Sequence, residues 1–136
     1  MNDFASQSCA FGGNSTGPDI AFSLFLPVPV ATLVVETTGS AHPDTQLSVR
    51  DANCGVELGC DDDGGTSNNS LVTLSNVNAG NYAIIVDGYN GANGAVSLSV
   101  VGTVKPGASC VSPLFGTGVL VCPAGTSCTG TPARCQ

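Results

Sequence analysis

Positive charge is almost missing from this sequence. Arg50, Lys105 and Arg134 are its three basic residues, against ten acidic ones, for a formal net charge of −7. So few basic side chains cannot form a stripe or patch, which excludes nucleic acid and anionic membrane surfaces as electrostatic partners and favours cations. Tryptophan is absent, and Tyr82 and Tyr89 are the only tyrosines. Paired aspartates can run glycoside hydrolysis, but the aromatic lining of a sugar cleft is not available here, either for such an enzyme or for a lectin. Histidine occurs once, His42 in Ser40-Ala41-His42-Pro43-Asp44. A Ser-His-Asp triad would have to use it, and its turn-forming neighbours read instead as a surface loop. HExxH, phosphate-loop and dinucleotide fingerprints are all missing. The chain is therefore expected not to be an enzyme. A membrane span is also excluded: the longest apolar run, Ile20 to Val35, is short and interrupted by Pro27 and Pro29.

What is abundant is cysteine and glycine, seven and 18 in 136 residues. That cysteine density implies an oxidising compartment, and so a secreted or cell-surface protein. Met1-Asn2-Asp3-Phe4 lacks the basic and apolar regions of a leader, which predicts a mature or truncated product. The length suits one domain, or one domain with a small appendage.

Period-two alternation of β-branched and aromatic residues recurs along the chain, and no long helical stripe does. Strands are predicted at Ile20 to Leu26, Val30 to Thr38, Gln46 to Asp51, a short piece around Val56 to Leu58, Leu71 to Ser75, Tyr82 to Asp87 and Ala95 to Val101. Asn90-Gly91 and Asn93-Gly94 supply hairpin chemistry between the last two. This predicts an all-β protein, an antiparallel β-sandwich of jelly-roll type. Phe22, Leu24, Leu33, Val35, Leu47, Val49, Val72, Leu74, Ile84, Val86, Val96, Leu98 and Val100 are its candidate core. Residues 1–17 read as a flexible N-terminal segment and 18–104 as the sandwich. Residues 105–136 read as a cysteine-rich tail too small for a core of its own, held by disulfides.

Cys54 and Cys60 enclose five residues with Gly55 and Gly59 inside, and a bridge between them is expected, stabilising by about 2 kcal/mol for so short a loop. The four tail cysteines allow three pairings. The interlocked one, Cys110–Cys128 with Cys122–Cys135, is favoured. Cys9 is then left over, for an expected partner in a missing N-terminal segment or for an intermolecular bridge. Structural zinc sites place cysteines two to four residues apart, which these spacings do not match.

Asp61, Asp62 and Asp63 follow Cys60 directly and precede Gly64-Gly65. Two carboxylates about 4 Å apart repel by about 1 kcal/mol in water and about 4 kcal/mol at an effective dielectric of 20. Two readings stand. In one the loop is a solvated turn. In the other it collects oxygens for a divalent cation, calcium first, since calcium takes six to eight oxygens from carboxylates, carbonyls and water. The pattern is not an EF-hand, whose twelfth position, counted from Asp61, would be Val72. Asp19, Asp44 and Asp87 lie at predicted strand ends. Asp44 and Asp87 join the candidate ligand set, and each serves equally well as a cap or turn residue.

Five motifs in sequence order carry a resemblance: Pro18-Asp19-Ile20-Ala21-Phe22; Asp44-Thr45-Gln46-Leu47-Ser48-Val49; Cys54 with Cys60-Asp61-Asp62-Asp63-Gly64-Gly65; Asn78-Ala79-Gly80-Asn81-Tyr82 through Tyr89; and Gly94-Ala95-Val96-Ser97-Leu98-Ser99-Val100. Together they resemble the bacterial pre-peptidase C-terminal (PPC) domain, in a cysteine-bearing form similar to secreted myxobacterial proteins, over residues 14 to 104. The resemblance implies a sandwich accessory to enzymes or adhesins and not itself catalytic. Collagen-binding domains of related fold bind calcium through several acids in an N-terminal segment. Here Asn2 to Gly17 offers only Asp3, so only the Asp61–Asp63 loop carries over.

The expected function is a non-catalytic, secreted, calcium-stabilised binding or adhesion module, contacting an extracellular protein or matrix polymer. The alternative is a self-assembling surface or filament subunit. Its edge strands, without lysines to guard them, would pair with neighbouring chains, and Cys9 could lock the contact.

Overall fold

The computed structural model describes residues 7–9, 16–41 and 43–136. His42 and most of residues 1–17 lie outside these, and with them the surface-loop and flexible-segment expectations. The chain is all-β, with no α-helix among the described residues. Its strands are β1 (Ile20–Leu26), β2 (Val30–Glu36), β3 (Thr45–Asp51), β4 (Glu57–Asp61), β5 (Leu71–Val77), β6 (Gly80–Gly88), β7 (Ser99–Val104), β8 (Leu120–Val121), β9 (Cys128–Thr129) and β10 (Arg134–Cys135). Four-stranded sheets run β1-β6-β3-β4 and β5-β2-β7-β8, and β9 with β10 forms a small ribbon. From β1 to β8 only the β3–β4 and β7–β8 connections stay within a sheet, as expected of a sandwich of jelly-roll type. Pairing is antiparallel along β3–β4 and β3–β6, while the two-residue β7–β8 contact is parallel.

By compactness the chain divides into two units. The first holds described residues up to Leu24 with Val35–Val72 and Asn81–Ser99. Its buried apolar side chains are Leu24, Val35, Leu47, Val49, Val72, Ile84, Ile85 and Val86. The second holds Phe25–Val34, Thr73–Gly80 and Val100–Gln136, so the cysteine-rich tail is grouped with parts of β2 and β5. Its buried apolar residues include Leu26, Val30, Leu33, Val77, Val104 and Leu120. Gly102 lets the strands pack closely there: a Cβ would lie 2.9 Å from a Leu120 methyl and 3.0 Å from a Val30 methyl, which would have to shift.

Period-two alternation locates the strands because one face of each is buried. It fails from Ala95 to Leu98 and in the central strands β3 and β6; in β6, Ile84 to Gly88 are all buried. Ala95 to Leu98 is not strand, and β7 begins only at Ser99. The Ser97 N–H donates to the Ser40 hydroxyl at 2.9 Å instead of to a ladder partner. Val96, Leu98 and Val100 are accordingly only partly buried, as are Phe22 and Leu74. In β3, Gln46 and Ser48 are buried as completely as Leu47 and Val49 beside them, and Arg50 is nearly so.

The covering of that polar face corrects the expected disulfides. Cys60 is bonded to Cys9, and Cys54 is the free cysteine. Cys60 lies opposite Ser48, and Glu57 opposite Arg50. Residues 7–9 bond to this same row: Ser8 donates to Glu57 through its N–H (3.2 Å) and its hydroxyl, and Cys9 N donates to the Cys60 sulfur at 3.3 Å. Arg50 completes the row with an ion pair to Glu57 at 3.0 Å. Cys54 stays out because its turn closes without a bridge. The Asp51 carboxylate accepts from Gly55 N (2.8 Å) and Val56 N (3.2 Å), and Cys54 itself adopts φ 59°. The Cys9–Cys60 link spans 51 residues, which the chain-entropy model values at about 4 kcal/mol, roughly twice the short loop expected for Cys54–Cys60. The reading of Cys9 as unpaired or intermolecular falls with it.

The tail carries Cys110–Cys128 and Cys122–Cys135, the interlocked pairing, over separations of 18 and 13 residues. Each closure stabilises by about 3 kcal/mol in the same model. The backbone supports them: Gly107 N donates to Cys135 O at 2.8 Å and Cys135 N to Ala108 O at 3.0 Å.

Candidate cation site

Three neighbouring strands bring the acidic residues together at one end of a sheet. In register, Thr45 faces Gly88 of β6 and Leu47 faces Asp61 of β4. The residues just beyond these pairs are Asp44, Tyr89, Asp62 and Asp63. Tyr89 N donates to Asp44 O at 3.2 Å, extending the ladder by one bond. Asp44, Asp62 and Asp63 each offer a carboxylate oxygen, all within 4.8 Å of one another. With Tyr89 they line a cleft of about 270 Å³.

The loop that presents Asp62 and Asp63 is tightly built. Asp61 closes it: one carboxylate oxygen accepts from Gly64 N at 2.7 Å and Leu71 N at 2.8 Å. The closure depends on glycine at position 64, since a Cβ there would lie 2.7 Å from both Asp61 carboxylate oxygens and push them away. Gly65 N donates to Asn69 O at 2.7 Å, and the Asn69 amide donates to Thr66 O at 2.9 Å.

Below the loop lies a knot of three fully buried hydroxyls, Thr37, Thr45 and Ser70. Thr37 Oγ1 and Thr45 Oγ1 are 2.7 Å apart, and Thr45 Oγ1 and Ser70 Oγ 3.1 Å. Ser70 Oγ reaches Thr45 O at 2.6 Å and Asp62 O at 2.8 Å. The knot thus ties the backbone of Asp62 to the first residue of β3, one residue from Asp44. Buried hydroxyls need partners, and here each satisfies the others.

This construction holds like charges together. The Asp62 carboxyl is pushed up from 3.8 to about 6, first by burial, then by Asp63 and Asp44, with Gln46 pulling it down and Asp61 adding slightly. Its Oδ1 is buried with no hydrogen-bond partner. The arrangement fits a hard cation. Oxygens on a calcium ion at 2.3–2.6 Å lie at most about 5 Å apart, and anionic oxygen is the donor calcium prefers.

The structure sorts the five candidate ligands. Asp44, Asp62 and Asp63 converge. Asp61 does not, because its carboxylate is committed to Gly64 and Leu71 as a loop closure. Asp87 does not either. It lies on β6 opposite Gln46, 1% exposed, with Oδ1 accepting from Gly88 N at 2.6 Å. Burial pushes the Asp87 carboxyl up, the Gly88 bond offsets part of this, and Asp19 adds to the rise. The sulfurs of Cys110, Cys122 and Cys135 also cluster, but all three are in disulfides and have no thiolate to offer. Thr37, Thr45, Ser70, Gln46 and Tyr89 went unnoticed as site residues in the sequence. Polar residues at strand ends read as ordinary turn chemistry there.

A scan against protein-family models finds no match, and a search of curated proteins finds none. The disulfides suit an oxidising environment. No helix among the described residues is long and apolar enough to cross a membrane.

Proposed function

We propose that this chain is a non-catalytic, secreted binding or adhesion module stabilised by calcium, a PPC-type accessory to a larger extracellular protein. The observation that carries the reading is the convergence of Asp44, Asp62 and Asp63, with the unpartnered Oδ1 of Asp62. Holding three carboxylates together, two on a braced loop and one at the start of β3, is costly unless something offsets their repulsion, and a divalent cation does so. The bound ion would fix the loop and the ends of β3, β4 and β6, leaving a rigid edge to present to a partner. Calorimetric titration with calcium tests this. One site is expected, in the 10⁻⁴ to 10⁻³ M range common for extracellular modules, lost in Asp62→Asn plus Asp63→Asn. Wild type that takes up no heat at millimolar calcium would return the loop to the solvated-turn reading.

Self-assembly has one observation in its favour. Edge strand β1 leaves Ile20 and Phe25 47% and 59% exposed, and no lysine protects it. The covalent part of that reading no longer rests on Cys9, which is bonded to Cys60.

A further inference from the structure

A larger cleft of the first unit lies away from the three converging acids. It lies along the start of β1 and the end of β6, with a volume of about 680 Å³, and its lining includes Asp19, Phe22, Val86, Asp87 and Val96. Its walls are braced. Gly17 N donates to Gly88 O at 3.0 Å, and a Cβ on Gly17 would sit 2.6 Å from both Gly88 O and Ala92 O, so the chain entering β1 is pressed against the end of β6. On the other side, the segment through Val96 is anchored by the bond from Ser97 N to the Ser40 hydroxyl.

Within this mostly apolar lining is a carboxylate that is only half satisfied. Asp87 is 1% exposed, and its Oδ2 is buried without a hydrogen-bond partner. A buried carboxylate oxygen left alone is costly, and few are found in folded proteins. Asp19 sets a second acid on the same lining.

We propose that this cleft binds a lysine side chain of a partner protein, its ammonium meeting Asp87 and its methylene stem lying against Phe22, Val86 and Val96. Three features select that chemistry. A calcium ion wants six to eight oxygens, and apolar walls do not provide them. A guanidinium prefers both oxygens of a carboxylate, and here Oδ1 already accepts from Gly88 N, leaving one oxygen for a point donor. The volume accommodates an alkyl stem as well as a charged head, and long cationic side chains bury such stems on apolar surface. A chain of net charge −7 also draws basic partners electrostatically. This site is separate from the proposed calcium site and does not depend on it.

Titration of the intact protein with Nα-acetyl-lysine methylamide, followed by two-dimensional NMR in chelator, tests the proposal. Saturable shifts at Phe22, Val86, Asp87 and Val96 are expected, at least tenfold weaker with the Nε-acetylated compound and at least tenfold weaker in Asp87→Asn. Asp87→Asn keeps an oxygen for Gly88 N. Should that variant fail to fold, Val96→Phe, which narrows the cleft, is expected to weaken binding likewise. No saturable shift at these residues, or equal binding of the Nε-acetylated compound, would overturn the proposal. Tighter binding of butylammonium than of the lysine derivative would overturn the partner-protein assignment and leave a free-amine site. Calcium shifting the same residues while the lysine derivative does not would make the cleft a metal site instead. Loss of the calorimetric calcium signal, with these shifts intact, would overturn only the calcium reading.

Discussion

Asp62→Asn should make the calcium-free protein more stable at neutral pH. The substitution keeps the shape and removes a charge that burial, Asp63 and Asp44 all disfavour. Raising the carboxyl from 3.8 to about 6 corresponds to about 3 kcal/mol at 1.36 kcal/mol per pK unit. The side chain is partly exposed, and solvent screening reduces this to about 1 kcal/mol. In a chain of this length that is about 3–4 °C in Tm. The pH dependence has a definite sign. The folded state holds the Asp62 proton more tightly than the unfolded chain, so this contribution lowers stability as pH rises from about 4 to about 6, and the penalty is complete above that. Buried Asp87 acts in the same direction. Thermal melts followed by circular dichroism in chelator, at steps from pH 4.5 to 7.5, should show wild type losing stability and Asp62→Asn losing less. Calcium at ten times its Kd should restore about 1.4 kcal/mol to wild type at neutral pH and nothing to the variant. A variant less stable than wild type in chelator at pH 7.5, with wild-type stability flat across the range, would refute the claim that the loop stores repulsion.

Further perturbations address the scaffold. Cys9→Ser should lower stability by up to about 4 kcal/mol, the chain-entropy value of its 51-residue closure; denaturant titration should move the midpoint far more for this variant than for Cys54→Ser, and equal effects would contradict the Cys9–Cys60 link. Ser70→Ala leaves Thr45 O and Asp62 O without their hydroxyl and should cost about 1–3 kcal/mol, with calcium affinity falling alongside stability in the same titrations. Gly64→Ala should open the Asp61 closure and weaken calcium binding without disturbing the strand spectrum, and unchanged calorimetry would show the closure irrelevant to the site. Light scattering across a concentration series tests the exposed β1 edge: reductant-independent growth in size is expected if strands pair there, and a monomer throughout removes self-assembly.

Much of the architecture was legible in the residues themselves. Alternation marks β1 and β5 because burial of one face enforces a period of two, while β2 and β6 stand out as β-branched apolar runs, β6 being buried on both faces from Ile84 to Gly88. Turn-rich segments separate them, and the interlocked tail pairing of Cys110–Cys128 and Cys122–Cys135 was already the favoured one of three. Local sequence could also mark Asp61–Asp63 as unusual, since like charges in a row are costly wherever they fall. It could not divide their roles. Asp61 closes its own loop and Asp62 faces Asp44 only because β3 and β4 pair in one register, Leu47 against Asp61. A shift of one residue would exchange their faces. The same register set Cys60 beside Ser48 and gave it to Cys9, 51 residues away, although Cys54 was far nearer along the chain. The burial of Gln46, Ser48 and Arg50, the hydroxyl knot beneath Asp62 and the orphaned oxygen of Asp87 have the same origin. Each depends on which distant backbone lies alongside, and proximity of that kind is decided only when strands far apart in sequence pair.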